Sequence, residues 1–362
     1  MQLYDPKTSA NSKPSRDKVL GCIVGGAIGD ALGAPVEFLS KRAIIAQYGP
    51  EGIQEFDRAY GRKGAITDDT QMTLFTIEGL IRAKVRSSDA LEMLAMAYSR
   101  WLLTQSQPDA YRNQRIQNNG WLITVKRLHS LRAPGNTCLG ALLASSSLRA
   151  ENHSKGCGGV MRSAPFGIVC DDPYEAGVEG AAITHGHPLG QIPSGYLALI
   201  VHRILHGGET ILEAIQDRDP HLAHARELRE GIEVITNAAQ TGETLPIEDF
   251  GEGWVGDEAL AMSICAAVQA QDFAHGIGVA VNHSGDSDST GAIAGNILGA
   301  HLGLAAIPCR FIETLELREE ILELANDLYD IFFESTFNGQ PLIGDGFSGE
   351  VTKALTLKYP GH

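Results

Sequence analysis

Strand-forming patterns are what this chain of 362 residues has least of. Aromatic residues make up only 6% of it, and no alternating run of Val, Ile and Thr appears, so no half-buried sheet is written into it. Runs of Lys or Arg are also missing, and the net charge is −15. That balance argues against nucleic acid as a partner on electrostatic grounds. The six cysteines (Cys22, Cys138, Cys157, Cys170, Cys265, Cys309) are scattered, with no C-x-x-C pair. Neither a disulfide framework nor a zinc site follows from that spacing. The first 18 residues are polar and carry no apolar signal core, so a cytoplasmic protein is expected. Two apolar, glycine-rich stretches, 19–36 and 291–308, are at the short end for crossing a bilayer. One holds Asp30 and the other Asn296 and His301, so no membrane span is expected.

What is present is helical. With 43% apolar and 20% charged residues the chain can bury a sizeable core. Val19, Leu20, Ile23, Val24, Ala27, Ile28 and Leu32 recur at helical spacing. Gly21, Gly25, Gly29 and Gly33 form one bare ridge on that helix, and Gly291, Gly295, Gly299 and Gly303 repeat the device late in the chain. Each glycine inside a helix costs about 1 kcal/mol relative to Ala, so a close backbone contact is expected in return. Both helices are therefore placed at the centre of the fold, against each other or against separate neighbours. Further helices are expected over 67–81, 89–104, 137–149, 211–216, 222–239, 257–271 and 317–333. Residues 181–206 are read as helical but interrupted at Pro188 and Pro193, and the chain after 333 as a polar tail. Residues 105–120 read as a loop. The fold class is all-α: a compact single-domain helical orthogonal bundle over 17–362, behind a flexible polar extension over 1–16.

Two oxygen-rich clusters stand out. Thr67-Asp68-Asp69-Thr70 and Asp286-Ser287-Asp288-Ser289 each open an apolar helical run. A helix cap needs one acceptor, not paired carboxylates with flanking hydroxyls. Neither cluster alone fills the shell of a hexacoordinate ion, whereas together they offer an all-oxygen set that suits Mg²⁺ or Mn²⁺. Glu37 follows the first glycine helix, and held near a buried ridge its carboxylate needs a partner or a role. The Lys155-Gly156-Cys157-Gly158-Gly159 loop has backbone amides that can cradle a diphosphate. Cys157 has no readable base beside it and is a poor candidate nucleophile. His185 and His187 suit hydrogen bonding better than metal ligation. Trp254 sits in a Gly-rich loop, where a stacking role competes with a core role.

Taken together these stretches resemble the ADP-ribosylhydrolase (ADP-ribosylglycohydrolase) family. The resemblance runs from about residue 17 to about 310. It is carried by Gly25 to Gly33 with Val36-Glu37-Phe38, by Thr67 to Thr70, by Gly156 to Met161, by Thr184 to Pro188 and by Gly285 to Thr290. It implies an all-helical fold with two Mg²⁺ (or Mn²⁺) ions in a cleft. It implies Thr67, Asp68, Asp69, Asp286, Asp288 and Ser289 as metal ligands, with Asp288 bridging. Glu37, Asp69 and Asp286 become the catalytic candidates. Gly156, Gly158, Gly159, Val160, Met161 and His185 match the residues that hold ADP-ribose. The implied activity is hydrolysis of the N-glycosidic bond of mono-ADP-ribosylated protein, arginine-linked by preference. An alternative is a bacterial immunity protein that blocks a cognate ADP-ribosyltransferase through its N-terminal extension. Another linkage, or a structural role on the same fold, completes the set.

Overall fold

The computed structural model describes residues 1–6, 9, 11–105, 119–144, 148–216, 220–342 and 349–360. Among them α-helices dominate, and the only strands are two hairpins of two-residue strands, 58–59 with 62–63 and 336–337 with 340–341. The fold is all-α, as the sparse aromatic and β-branched patterning leads one to expect.

At its centre α1 (Arg16–Gly33) runs antiparallel to α13 (Ser287–Leu302) with the two glycine ridges in mutual contact. Gly21 lies against Gly299, Gly25 against Gly295, Gly29 against Gly291, and Gly33 against Ser287. A Cβ on Gly29 would stand 1.9 Å from the carbonyl oxygen of Gly291, and one on Gly299 would stand 1.9 Å from that of Gly21. No side chain fits between backbones this close, which is the compensation the eight glycines required. Asn296 adds a polar tie, donating from its side-chain amide to the Cys22 carbonyl at 2.8 Å.

The remaining helices wrap this pair. On one side α3 (Asp68–Arg86) packs on α1, with α4 (Ala90–Thr104) against its outer face and α15 (Arg318–Tyr329) beside it. A buried ion triad joins α3 to α4: Glu78 accepts from Arg82 at 3.2 Å and from Arg100 at 2.9 Å. On the other side α11 (Gly256–Val268) and α12 (Phe273–Val281) cover α13, and α10 (Arg226–Thr241) covers α11. A third group, α6 (Ala164–Val169), α7 (Pro173–Ala182) and α8 (Ile192–Gly207), closes the core. No helix among the described residues is long and apolar enough to cross a membrane.

Four expectations need correction. Pro193 does not interrupt a helix; it lies in the first turn of α8, where its missing N–H costs nothing. The expected helix over 137–149 ends at Ala144, with 145–147 outside the described residues, as is most of the 105–120 loop. The polar tail contains α16 (Gly349–Lys358), followed by the buried Tyr359. Of the N-terminal segment, residues 1–4 lie against the body rather than free of it, while 7, 8 and 10 are outside the described residues. Tyr4 donates its amide to the Val169 carbonyl at 2.8 Å, and its ring is buried against Phe333. Met1, Leu3 and Tyr4 are apolar anchors in an otherwise polar stretch, and they decide its position.

Candidate metal centre

The two oxygen-rich clusters become the first turns of two core helices. Thr67 caps α3, its hydroxyl accepting from the Asp69 amide at 3.3 Å, and Asp68 and Asp69 follow in the first turn. Asp286 is the residue before α13, with Asp288 and Ser289 in its first turn. Anionic side chains favour the positive end of a helix. The glycine contact that brings Gly33 to Ser287 delivers the end of α1, and hence Glu37, to the same place.

Glu37, Asp286 and Asp288 form a buried trio with one oxygen of each within 4.8 Å of the others. Asp68 and Asp69 lie outside that tight trio, but their charges face it, and Asp288 is the principal neighbouring charge for Glu37, Asp68, Asp69 and Asp286. All six expected ligand positions are buried. Some oxygens are spoken for: Asp68 Oδ2 accepts from the Gly135 amide at 3.3 Å, and Asp288 Oδ1 from the Ser289 amide at 3.0 Å. Asp286 Oδ2 accepts from the Cys157 thiol at 2.8 Å. Others are not: Glu37 Oε2 and Asp69 Oδ2 are buried with no hydrogen-bond partner among the described residues. Leaving a carboxylate oxygen orphaned in the interior is costly unless a cation or a bound ligand takes it up.

The electrostatics agree. Burial, then the charge of Asp288, pushes the Glu37 carboxyl up to about 10. Burial and the same neighbour raise Asp68, Asp69 and Asp286 well above the usual carboxylate range. So many acids in one buried pocket repel one another, and a divalent cation would reverse that balance. The residues present therefore fit a hard, oxygen-preferring metal ion.

The glycine-rich loop lies over this cluster. Residues 157–162 form a short 3₁₀ turn, and the Cys157 amide donates to the Trp254 carbonyl at 3.2 Å. Ser289 donates its hydroxyl to Cys157 Sγ at 3.6 Å, which ties the loop to α13. Burial and the nearby Asp286 carboxylate hold the Cys157 thiol well above its ordinary value. A nucleophilic thiolate is the opposite of what this setting favours. His185 is buried beside the loop, with its ring against Gly158 and Gly190. Val160 and Met161 are also buried, their side chains belonging to the core, so what they offer a ligand is backbone. Next to the loop opens a cavity of about 440 Å³ lined by Thr137, Arg149, Asn152, Ser154 and Ile183.

A family model described as ADP-ribosylglycohydrolase matches residues 11–336. The chain belongs to the ADP-ribosylglycohydrolase family. An ADP-ribosyl-[dinitrogen reductase] glycohydrolase of Rhodospirillum rubrum is 26% identical, over 84% of this chain and 92% of its own. An ADP-ribosylarginine hydrolase Tri1 of Serratia proteamaculans is also 26% identical, over 92% of this chain and 85% of its own. A protein of Archaeoglobus fulgidus described only as uncharacterized reaches 30% over 87% and 97%. A solved structure titled as an ADP-ribosylglycohydrolase-related protein complex superposes with a TM-score of 0.64 at 27% identity, covering 88% of this chain and 99% of that one. Membership and these relatives support ADP-ribosyl hydrolase activity.

Three features of this glycohydrolase-family site escape sequence reading. Asp30, on α1, accepts from the amides of Thr67 at 3.0 Å and Thr70 at 3.1 Å and from the Thr70 hydroxyl, so it caps α3 from another helix. The available signal was a lone acid inside an apolar glycine helix. Arg162 is fully buried and reaches Thr184 beside His185. Phe38 and Trp254, 72% and 40% exposed, stack on each other with ring centres 5.9 Å apart. Phe38 follows Glu37, while the position of a Cβ on Gly253 lies 3.4 Å from Asp286 Cβ, so the aromatic pair borders the acidic cluster. Nothing in the sequence links two aromatics so far apart.

Proposed function

We propose that the protein hydrolyses the bond between the ribose anomeric carbon and a guanidinium nitrogen of ADP-ribosylarginine on a protein, using two Mg²⁺ or Mn²⁺ ions. The observation that carries this reading is the pair of buried, unpartnered carboxylate oxygens, Glu37 Oε2 and Asp69 Oδ2, in a pocket of mutually repelling acids. Thr67, Asp68, Asp69, Asp286, Asp288 and Ser289 would hold the metal, with Asp288 central. Bound divalent cations would supply Lewis-acid polarisation of a water and of the ribose hydroxyls.

The chain's own residues do the rest. The amides of Gly158 and Gly159 take the diphosphate, and Gly156, whose own amide donates to Ser154 Oγ at 3.2 Å, leaves room for phosphate oxygens to approach the backbone. The adjoining cavity, with Arg149, Asn152 and Ser154 on its wall, takes the adenosine end. The departing guanidine leaves from an oxocarbenium-like state, which the surrounding carboxylates favour electrostatically. Glu37 Oε2 and Asp69 Oδ2 are positioned to accept the proton of the attacking water, whereas Asp286 Oδ2 already accepts from Cys157.

The exposed Phe38 and Trp254 faces beside an acidic cluster favour arginine as the acceptor, because a planar guanidinium binds aromatic faces and carboxylates alike. Parallel digestion of arginine-linked and serine-linked ADP-ribosyl peptides tests the linkage. Preferential release from arginine is expected; equal or preferential release from serine overturns the arginine reading. Inhibition of a transferase through the N-terminal segment is not favoured, because Tyr4 and its neighbours are committed to the body of this same chain.

A further inference from the structure

Arg162 is the least explained charge in the molecule. It is fully buried, its guanidinium lies 4.3 Å from the Tyr98 ring centre, and among the described residues its hydrogen bonds go to no carboxylate. Instead Nη1 points at Met72 Sδ and Cys138 Sγ, at 3.3 and 3.4 Å, and Nη2 donates to the Gly180 carbonyl at 3.4 Å and to Thr184 Oγ1 at 2.6 Å. A buried cation without a counter-ion is expensive and is kept where it has a task. Its shortest bond leads to the residue next to His185.

We propose that Arg162 and Thr184 are positioning residues that lock His185 as a neutral ring with its proton on Nε2, so that this N–H is presented to a bound ligand at the glycine-rich loop. Thr184 Oγ1 receives an N–H from Arg162, and its single hydroxyl hydrogen has three possible acceptors, of which Cys138 Sγ, a weak one, is the third. His185 Nδ1 is 2.8 Å away and the Ala181 carbonyl 3.4 Å away. Directing the hydroxyl hydrogen along the shortest of these contacts makes Nδ1 the acceptor. A neutral imidazole with an accepting Nδ1 carries its hydrogen on Nε2. That nitrogen lies 3.5 Å from where a Cβ on Gly156 would stand and 3.4 Å from one on Gly158. The lack of side chains at these two glycines leaves the Nε2 edge facing the space where the loop amides meet their ligand. Burial, and then the Arg162 charge, holds His185 down at about 3, so the ring does not become a cation that would turn Nδ1 into a donor. One buried cation thus fixes both the tautomer and the charge of the ring.

The inference rests on the ADP-ribose-binding reading above for the identity of the ligand, but the ring state is measurable without any ligand. The test is a long-range ¹H–¹⁵N correlation on metal-free protein with ¹⁵N-histidine, comparing wild type, Thr184→Val and Thr184→Ser, with His185→Gln giving the assignment. ADP-ribose binding is then measured by calorimetry on the same proteins. Wild type should show His185 as a single neutral tautomer with the proton on Nε2 near neutral pH. Thr184→Val should mix the tautomers and weaken ADP-ribose binding about tenfold, and Thr184→Ser should restore both. A wild-type ring protonated on Nδ1, or a Thr184→Val ring unchanged in tautomer, overturns the proposal. If the tautomer behaves as described but wild type binds no ADP-ribose, the positioning stands and the ligand assignment fails.

Discussion

The Thr67 amide sits between the two carboxylate oxygens of Asp30, 3.0 Å from each. A side chain from the central glycine helix thereby holds the first turn of α3, the turn that carries Asp68 and Asp69. The contact joins the core to the acidic site in a single step. Asp30→Ala should strand the Thr67 and Thr70 amides. An unsatisfied buried donor costs about 1–3 kcal/mol, so a loss of that order in denaturant stability is expected, with weaker Mn²⁺ binding. Unchanged stability and unchanged Mn²⁺ affinity would show that α3 is held by other contacts.

The glycine contact between α1 and α13 makes a sharper structural claim. Gly29→Ala places a methyl group 1.9 Å from the Gly291 carbonyl oxygen. Only a shift of one helix can relieve that, at a cost of about 3 kcal/mol. Gly140→Ala, in α5 (Asn136–Ala144), meets nothing within 4 Å and should be neutral or stabilising by up to about 1 kcal/mol. Thermal melts of the two variants check the contrast.

Stability of the metal-free protein should depend on pH in an unusual direction. Glu37 is pushed up to about 10 when folded, from an ordinary value of 4.5, so across that window the folded state binds more protons than the unfolded one. Stability is then fullest at the acidic end and falls as pH rises. Asp68, Asp69 and Asp286 are shifted the same way and add to the trend. Melting temperatures of chelator-treated protein should decline from pH 5 to pH 9, and saturating Mg²⁺ or Mn²⁺ should flatten the decline. A metal-free melting temperature that rises over that range contradicts the electrostatic picture.

Cys157 stands over the acidic cluster, but its thiol is held protonated by burial and by Asp286. Cys309 is the exposed cysteine among the described residues. Brief iodoacetamide treatment at neutral pH, read by peptide mass spectrometry, should label Cys309 and spare Cys157. Cys157→Ser keeps a donor for Asp286, and its hydrolytic rate should stay within a few-fold of wild type. Abolished activity in that variant would point to covalent chemistry.

Much of this was legible in the sequence where a local pattern maps onto a local structure. Thr67-Asp68-Asp69 and Asp286 to Ser289 read as helix starts because capping is a short-range effect, and they are helix starts. The glycine ridges announced a close backbone contact, though not which partner; only the antiparallel register of Gly29 with Gly291 supplies that. Helix α12 was missed because its sequence, Phe273 to Val281, is short and glycine-rich and gains its stability from packing on α13. Asp30, Arg162 and the Phe38–Trp254 pair were missed for a common reason. Each acts on a residue remote in sequence, and no periodicity encodes such a contact.

The most direct test of the acidic cluster as a hydrolytic metal centre is release of ADP-ribose from an arginine-ADP-ribosylated protein. It should be measured with Mg²⁺, with Mn²⁺ and with chelator, for wild type beside Asp288→Ala. Asp288 is the charge that faces Glu37, Asp68, Asp69 and Asp286 alike, so its removal should disable the site as a whole. Metal-dependent release that chelator abolishes and Asp288→Ala loses by a factor of 100 or more, on the order of 3 kcal/mol in the barrier, is the predicted result. Release that persists in chelator, or survives in Asp288→Ala, would contradict it.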